Sequence, residues 1–398
     1  MPHMYENILV CLDNSEHSAL GAELAVEVAR RTGARLTGLH VYAARLHNDR
    51  FRQLEAFLPP QYRAEEVLRE QRAVHSTLIT RGLEIISDSY MGLLKDKAAC
   101  AGLAASAKKR EGKNYREILA ESVEGGYDLV VLGALGLGRV ETSRIGSVAE
   151  RVARGARTDV LVARRGLPAE GRILVAIDGS PLSFGGLDRA LVLSRAFGME
   201  VEAVSAFDPD YHQTAFRSIA GVLREEDGEI FRFKEQERLH TEIIDKNLAA
   251  LYRDHLRKAV RLAEEHGFGI RHTLLSGKPF DRIIRYAEET RPFILVVGRS
   301  GVHASPDDPA CAEIGSTTEN CLREVGCNVY ISCHAFMPEY VEEDKGPLWR
   351  EEALELLGRI PSHARGIVKK MVEEAASAEG LKVVSGEFMW KIRKRMGL

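Results

Sequence analysis

The chain has 398 residues, which is enough for two or three domains, and its apolar and charged fractions of 45% and 28% are those of ordinary globular proteins. A formal net charge of −3 gives no overall reason to expect DNA or an anionic membrane as a partner. Because the sequence shows no run of about 18 apolar residues, no signal-peptide pattern and no disulfide pattern among its six cysteines, we expect a cytoplasmic protein.

The first half of the chain alternates short apolar runs with segments of helical periodicity, which indicates parallel βαβ units and a doubly wound α/β sheet. Two segments interrupt this alternation: Arg45–Arg72 is charged with helical tendency, and Met91–Gly112 is basic and rich in alanine. We interpret both as helical excursions at strand ends, either as surface decoration or as a lid over a site. Strands are predicted at 8–12, 36–42, 129–133 and 160–163, and helices at 19–33, 115–124 and 147–154.

The second half repeats the alternation after a short linker at 166–171, with a charged excursion at 211–246. From His334 onwards the pattern stops, and an acidic linker at 338–347 leads to two amphipathic helices at 349–360 and 364–379. We expect domains at 1–165, 172–333 and 347–398, the last one small and helical. In the second domain, strands are predicted at 173–177, 201–207, 270–275, 294–298 and 329–332, and helices at 182–197, 239–265, 280–289 and 315–324.

The two halves also share sequence motifs at nearly constant offsets. The segment ILVCLDNS at 8–15 returns as ILVAIDGS at 173–180, and Gly133 matches Gly298 at the same offset of 165 residues. The triplet Ile-Gly-Ser at 145–147 returns at 314–316, at an offset of 169. A duplicated set of glycines after an apolar strand indicates two related phosphate sites.

The glycines of the first half stand where a phosphate site requires them. Gly133 and Gly136 follow a buried strand, and Gly146-Ser147 opens a helix whose N-terminus supplies N–H groups and a positive dipole end. Asp13 ends the first strand, and the carboxyl ends of the first and fourth strands face one crevice of a doubly wound sheet. We therefore expect Asp13 and this loop to form one nucleotide cavity, although Asp13 and Ser147 are also residue types that begin helices.

Two motifs of the first half resemble the universal stress protein family: the glycine spacing G-x2-G-x9-G-[ST] and an Asp-x-Ser after the opening strand. They are carried by Gly133, Gly136, Gly146, Ser147, Asp13 and Ser15. The resemblance covers about 4–165 and 172–333. It implies two five-stranded sheets of order 3-2-1-4-5, an adenine nucleotide alpha-hydrolase-like fold, and binding of ATP, AMP or ADP with or without Mg²⁺. It also implies that adenine contacts the backbone of Val41, and that two domains pair through their last strands within one chain or in a homodimer.

The second half departs from this pattern in two ways. Ala206 replaces Val41. Thirteen residues instead of nine separate the second glycine of the motif from the third, and they include Asp307, Asp308 and Glu313. These carboxylates oppose anion binding, so we expect either altered nucleotide binding or a purely structural second site. The matching residues are Asp178, Ser180, Gly298, Gly301, Gly315 and Ser316.

The tail is similar to a small C-terminal domain of a subunit of the light-independent protochlorophyllide reductase, through Trp349, Ala353, Leu356, Ile360-Pro361 and further positions to Gly380. Its expected role is to bind a protein partner. We predict buried cysteines at 321, 327 and 333, with metal binding or thiol sensing as the weaker alternatives. His40 could line a pocket, although a solvated or core histidine is the favoured interpretation.

Our leading hypothesis is a regulatory or signalling module that binds ATP or a related adenine nucleotide in its first half. Neither a P-loop nor a complete G-x-G-x-x-G motif is present, so rapid phosphoryl transfer has little support. The alternatives are a slow ATPase or adenylate-transferring enzyme, and a nucleotide-free scaffold that recruits a partner through the tail.

Overall fold

The computed structural model of the protein describes residues 5–168, 170–210, 218–219, 245–302, 313–338, 347–360, 362–381 and 383–395. Among the described residues up to Pro338, strands and helices alternate. The strands of the first half are β1 (Asn7–Cys11), β2 (Arg35–Tyr42), β3 (Ala105–Glu111), β4 (Leu129–Gly133) and β5 (Asp159–Ala163). Its helices are α1 (Glu16–Thr32), α2 (Ala44–Leu54), α3 (Glu65–Cys100), α4 (Asn114–Glu124) and α5 (Ser147–Gly155). Two short 3₁₀ turns join α2 to α3.

The second half repeats this order of elements. Its strands are β6 (Arg172–Ala176), β7 (Glu200–Phe207), β8 (Arg271–Ser276), β9 (Ile294–Gly298) and β10 (Asn328–Ser332). Its helices are α6 (Pro181–Phe197), α7 (Asp245–Glu265), α8 (Pro279–Thr290) and α9 (Ser316–Glu324). Most of the excursion predicted at 211–246, and the first part of the helix predicted at 239–265, lie outside the described residues.

All ten strands form one continuous sheet in the order β3-β2-β1-β4-β5-β10-β9-β6-β7-β8. Each half keeps the expected order, with parallel pairing, and the halves meet where β5 and β10 pair antiparallel, Val160 opposite Ile331. The expectation of two separate sheets is therefore corrected to a single sheet. The physical reason is that β5 and β10 would each expose an unpaired strand edge, and pairing satisfies both edges.

Helices cover the central strands of this sheet on both faces. Helices α1 and α6 pack against each other and against β4, β5, β9 and β10 on one face. Helices α4, α5, α8 and α9 contribute to the apolar cluster on the other face. The central strands are buried as a result, which explains why they form continuous apolar runs in the sequence.

The excursion predicted at Met91–Gly112 is partly wrong, because it contains the edge strand β3. The sequence ASAKKRE has no apolar pattern, and most of its side chains are exposed. Its strand conformation depends on pairing with β2 and on Glu121 of α4, which is 1% exposed and accepts from Lys108 at 2.6 Å and from Arg110 at 2.7 Å. Charged side chains are a common feature of edge strands, since they oppose pairing with other chains.

The turns after β1 and β6 have the same construction. Ser15 and Ser180 cap α1 and α6, with each hydroxyl oxygen accepting a hydrogen bond from the backbone N–H three residues later, at 3.1 and 3.2 Å. The residue before each serine is left-handed, with φ of 60° at Asn14 and 89° at Gly179. Asparagine and glycine are the residues that adopt this conformation most readily, so each turn can place an aspartate beside its helix.

The tail is a second compact unit, with α10 (Glu351–Gly358), α11 (Ser362–Ala378), α12 (Gly386–Arg395) and a parallel pair of two-residue strands, β11 (Leu348–Trp349) and β12 (Val383–Val384). Its core includes Leu357, Val372, Phe388 and Ile392. The two predicted amphipathic helices are present; the strand pair and α12 were not predicted. Within the described part of the chain, every helix is too short or too polar to cross a bilayer.

Candidate functional site

The carboxyl ends of β1, β2 and β4 open into a cavity of about 570 Å³. The structure brings six of the predicted site residues into its lining, which are Asp13, Val41, Gly133, Gly136, Gly146 and Ser147. Ser15 is not among the lining residues, and neither is Ser180 at the corresponding cavity of the second half. Both serines instead serve as the helix caps described above.

Asp13 is held at the floor of this cavity by the turn that follows β1. Its Oδ1 accepts a hydrogen bond from the backbone N–H of Ser15 at 3.0 Å, and its own N–H donates to Ser18 at 3.2 Å. Its Oδ2 lies against the loop: a Cβ atom added to Gly136 would be 2.7 Å from it. The loop and the carboxylate therefore touch only because residue 136 is glycine.

Gly133 and Gly146 have different structural roles in the loop. A Cβ on Gly133 would lie 2.7 Å from backbone atoms of both His17 and Ser18, so this glycine lets the end of β4 pack on the start of α1. Gly146 donates its backbone N–H to the carbonyl oxygen of Ala134 at 2.7 Å and stands immediately before α5. This hydrogen bond joins the last residue of the loop to the residue that follows β4.

The N-terminus of α5 opens onto the cavity. Ser147 is the first residue of the helix, and Gly146 at the cap position has no side chain that could satisfy the N–H groups of the first turn. These N–H groups and the positive end of the helix dipole are the usual binding elements for an anion. Because Ser147 is exposed, its hydroxyl is accessible as a further donor.

Backbone groups of β2 line the opposite side of the cavity. The pairing of β1 with β2 ends at Cys11 and Leu39, and the carbonyl oxygen of Leu39 accepts from Leu12 at 2.9 Å. Consecutive residues of a strand direct their backbone groups to opposite sides, so Val41 directs its N–H and C=O to the same side as Leu39. Since β1 has already ended there, these two groups of Val41 face the cavity.

Helix α3 supplies an apolar wall through Leu83, Ile86 and Tyr90, which were not among the predicted site residues. His40 connects this wall to β2. Its Nδ1 lies 2.8 Å from Ser87 Oγ, which itself donates to the carbonyl of Leu83, so His40 is the donor in this contact. Burial lowers the pKa of His40 and favours the neutral ring. These wall residues lie between the two predicted excursions of the first half, and only the tertiary contacts of α3 show their place at the site.

Two further groups of the first half shape the electrostatics of the loop. His17 Nδ1 accepts from the backbone N–H of Leu135 at 3.1 Å, and burial lowers the pKa of this histidine. Arg139 lines the cavity and lies 3.5 Å from Glu16 at its rim. Among the described lining residues, Asp13 is the only carboxylate and Arg139 the only guanidinium, and there is no lysine.

The second half forms a corresponding cavity of about 490 Å³. Asp178 is more fully bonded than Asp13, because its Oδ1 accepts from Ser180 N–H at 2.9 Å and its Oδ2 from Val302 N–H at 3.0 Å. Asp307 and Asp308 lie outside the described residues, while Glu313 lines the cavity. The other predicted residues in this lining are Gly298, Gly301, Gly315 and Ser316, together with Ala206.

The described residues contain no group of three or more histidine, cysteine, aspartate or glutamate side chains arranged to hold a metal ion. Cys321 and Cys327 are buried, as predicted, and Cys333 is partly buried. Burial raises the pKa of Cys321 to about 12 and that of Cys327 to about 11, which keeps both thiols protonated.

Comparison with known proteins agrees with this fold. Universal stress protein YxiE of Bacillus subtilis is 27% identical to this chain over 161 residues, which is 40% of this chain and 100% of that protein. A crystal structure of a universal stress protein from Archaeoglobus fulgidus aligns with a TM-score of 0.51 and 16% identity, covering 82% of this chain and 97% of its own. A universal stress protein structure from Pseudomonas aeruginosa aligns with a TM-score of 0.50 and 17% identity, covering 82% and 93%.

Sequence models of families match the chain in three places. The tail, at residues 349–393, is similar to the family described as the proto-chlorophyllide reductase 57 kD subunit. The universal stress protein family matches residues 4–164 and again residues 171–332, which together make up well over half of the chain. This protein therefore belongs to the universal stress protein family.

Proposed function

We propose that the first half of the chain binds an adenine nucleotide, with ATP as the leading candidate, and that the protein acts as a nucleotide-responsive regulatory module. The observation that carries this proposal is the meeting of Asp13, the glycine loop and the N-terminus of α5 in one cavity. Its volume of about 570 Å³ lies within the range of small-molecule and cofactor sites.

The base fits the side of the cavity formed by β2 and α3. The N–H and C=O of Val41 offer one donor and one acceptor, which complements the edge of adenine, where an amino group stands beside a ring nitrogen. Leu83, Ile86 and Tyr90 supply an apolar and aromatic wall for the faces of the base. Asp13, at the floor, has Oδ2 directed to the loop and is placed to accept from a ribose hydroxyl.

The phosphates fit the opposite side. The first turn of α5 offers N–H groups that no side chain caps, and the helix end carries about half a positive elementary charge. Arg139 adds a full positive charge at the rim. Asp13 is the one carboxylate and Arg139 the one guanidinium among the described lining residues, and Arg139 lies 3.5 Å from Glu16, so the N-terminus of α5 is the group that favours an anion there.

The same residues favour retention of the nucleotide over its rapid consumption. Fast phosphoryl transfer uses a lysine or arginine clamp with metal-bound carboxylates around the phosphates. The described lining of this cavity contains no lysine and a single carboxylate. We therefore propose that occupancy of the site, rather than turnover, is the signal, and that the tail at 347–398 transmits it to a protein partner.

The test is a calorimetric titration of the purified chain with ATP, ADP and AMP, with and without Mg²⁺. We expect one nucleotide per chain in the first cavity and an increase in melting temperature with nucleotide concentration. Neither heat nor a rise in melting temperature with any of the three nucleotides would overturn the proposal. Chromatography of the reaction mixture after long incubation would reveal turnover, and release of many equivalents of ADP or AMP per chain would favour the slow enzyme instead.

A further inference from the structure

We infer that the second cavity binds a purine nucleoside without phosphates, such as adenosine, while the first cavity binds the nucleotide. This inference rests on the proposed function, because it uses the first cavity as the internal reference for the second. The two cavities have the same backbone framework and differ in charge, so their ligand preferences can be compared within one chain.

The elements that would hold a base are retained in the second cavity. The pairing of β6 with β7 ends at Ala176 and Val204, and the carbonyl of Val204 accepts from Ile177 at 2.8 Å. By the same alternation as in β2, Ala206 directs its N–H and C=O into the cavity beyond the end of β6. Ala206 therefore offers a base the same backbone N–H and C=O as Val41 does in the first cavity, and the change of side chain does not alter these groups.

The walls of the second cavity suit an uncharged aromatic ligand. Tyr252 of α7 contributes an aromatic ring to the lining, and Pro279 and Ile283 contribute apolar surface. Burial raises the pKa of Tyr252, with Asp178 acting in the same direction, so its hydroxyl stays neutral and able to donate. A planar base between Tyr252 and the aliphatic side chains would be desolvated without leaving a charge unpaired.

The charges of the second cavity oppose a phosphate. Glu313 stands directly before Ile314 at the loop end and lines the cavity, together with Asp178. The described lining residues contain no lysine or arginine, in contrast to Arg139 in the first cavity. The N-terminus of α9 contributes about half a positive charge, which is smaller than the two negative charges of the carboxylates. The described lining is therefore more negative here than in the first cavity, which has one carboxylate and one guanidinium.

The second cavity has a volume suited to a small-molecule ligand. It measures about 490 Å³, against about 570 Å³ for the first. In addition, the backbone N–H of Val302, which corresponds to a loop amide of the first half, is already bonded to Asp178 at 3.0 Å. That amide is therefore engaged within the protein and does not contribute to a phosphate cradle.

The experiment is a sequential titration of the full-length protein at low ionic strength. ATP is added first, to saturation, so that failure of the proposed function is visible before the second ligand is tested. Adenosine is added next, and we expect one further equivalent to bind. Under the same conditions we expect AMP to bind at least about 10-fold more weakly than adenosine, as one or two opposing charges imply. Adenosine that fails to bind once ATP is saturating, or AMP that binds this second site as well as adenosine does, overturns the inference.

Two variants assign the effect to this cavity. Gly301→Val places a side chain against Asp178, since a Cβ there would be 2.7 Å from Asp178 Oδ2, and should abolish adenosine binding while ATP binding is kept. Retained ATP binding also shows that the variant is folded. Glu313→Gln should reduce the preference for adenosine over AMP about 5- to 10-fold, whereas Glu264→Gln, exposed on α7 outside the lining, should not change it. A preference unchanged in Glu313→Gln, or adenosine binding kept in Gly301→Val, contradicts the inference.

Discussion

Asp159 and Asn328 occupy the same position at the start of the last strand of each half, and each binds two consecutive backbone N–H groups of the other half. Asp159 Oδ1 accepts from Cys333 at 2.7 Å and from His334 at 3.1 Å. Asn328 Oδ1 accepts from Arg164 at 2.7 Å and from Arg165 at 2.9 Å. This reciprocal clamp closes both ends of the β5–β10 pair and explains how the two halves combine into one sheet.

The clamp is symmetric in position but not in charge. Asp159 also binds the guanidinium of Arg189 at 2.9 Å and the hydroxyl of Tyr330 at 2.6 Å, and Tyr330 in turn contacts Tyr5 at 2.7 Å. Asp159 is 2% exposed and Arg189 8% exposed, so this is a buried ion pair. Breaking such a pair from one side leaves a buried charge without its partner, which is more harmful than losing a neutral hydrogen bond.

Asp159→Ala should lower the free energy of unfolding of the paired halves by about 3–5 kcal/mol, as expected when one partner of a buried ion pair is removed. Asn328→Ala should lower it less, by about 1–3 kcal/mol, because it leaves neutral N–H groups unsatisfied. Urea unfolding followed by far-ultraviolet circular dichroism measures both. Asp159→Asn is the control that keeps an acceptor for Cys333, and its loss should be smaller than that of Asp159→Ala. Equal losses in all three variants would show that the charge has no special role.

Local sequence patterns were sufficient to predict the buried strands of the fold, whereas the strand order within each half came from the family resemblance. β4 and β9 were predicted at their observed bounds, because a strand that is buried on both faces must be apolar throughout. β3 was missed because it lies at an edge, where tertiary contacts of Lys108 and Arg110 with Glu121 replace apolar burial. The sequence of β3 has no local pattern from which these contacts with Glu121 could be predicted.

The structure brings the residues of the glycine loop together, but their individual contacts could not be predicted. The sequence suggested that Gly133 serves a ligand, whereas its most restrictive contact is with the backbone of α1. Ser15 belongs to the same motif as Asp13 and yet caps a helix. The wall formed by α3 could not be predicted, because it depends on how a helix of 36 residues packs against β2 over a long sequence separation.

Gly136→Val should weaken binding of the nucleotide at least about 10-fold while leaving the melting temperature nearly unchanged. The new side chain would meet the flexible carboxylate of Asp13 rather than a backbone atom, and would occupy the space between Asp13 and the loop. Gly133→Val, by contrast, should destabilise the fold by about 1–3 kcal/mol or more, because its Cβ would lie 2.7 Å from the backbone of His17 and Ser18.

Calorimetry for binding and thermal melting for stability separate these two variants. The matched control for Gly136→Val is Gly301→Val in the second half, where the nearest atom is the equivalent carboxylate of Asp178 at the same distance of 2.7 Å. This control should leave ATP binding by the first cavity intact. If Gly136→Val binds ATP like the unmodified protein, the nucleotide does not lie between Asp13 and the loop.

His17 should make the stability of the first half dependent on pH. Burial lowers its pKa below the usual value of 6.5, and the neutral ring accepts the N–H of Leu135 at 3.1 Å. The unfolded chain binds the proton more readily, so the contribution of His17 is fully present above about pH 6.5 and is lost as the pH falls through the lowered pKa. Melting temperature measured between about pH 7 and about pH 5 should therefore fall more for the unmodified protein than for His17→Leu.

Leucine is the appropriate replacement because Leu182 occupies the equivalent position beside Gly298 in the second half. The difference between the two melting curves isolates His17 from the other groups that titrate in this range. At about pH 7 the variant should be less stable by about 1 kcal/mol, the usual contribution of one hydrogen bond. Parallel curves at every pH would show that folding leaves the pKa of His17 unchanged, which contradicts the prediction.

The tail can be followed separately from the rest of the chain, since both tryptophans of the protein, Trp349 and Trp390, belong to it. Phe388 is 6% exposed in the core of this unit, and truncating a buried phenylalanine to alanine lowers the free energy of unfolding by about 3–5 kcal/mol. A unit of this size rarely has more than about 3–5 kcal/mol in total. Phe388→Ala should therefore unfold the tail at room temperature.

The expected signature is a red-shifted tryptophan emission without a urea transition of its own, while the circular dichroism transition of the ten-stranded sheet stays where it was. ATP binding should also be unchanged, because the residues that carry the proposed nucleotide site belong to the first half. Phe57→Ala is the control, since Phe57 is 80% exposed in the first half and should leave both signals unaltered. If Phe388→Ala shifts the circular dichroism transition as well, the tail and the ten-stranded sheet unfold together. That result would contradict the expectation that the tail unfolds separately.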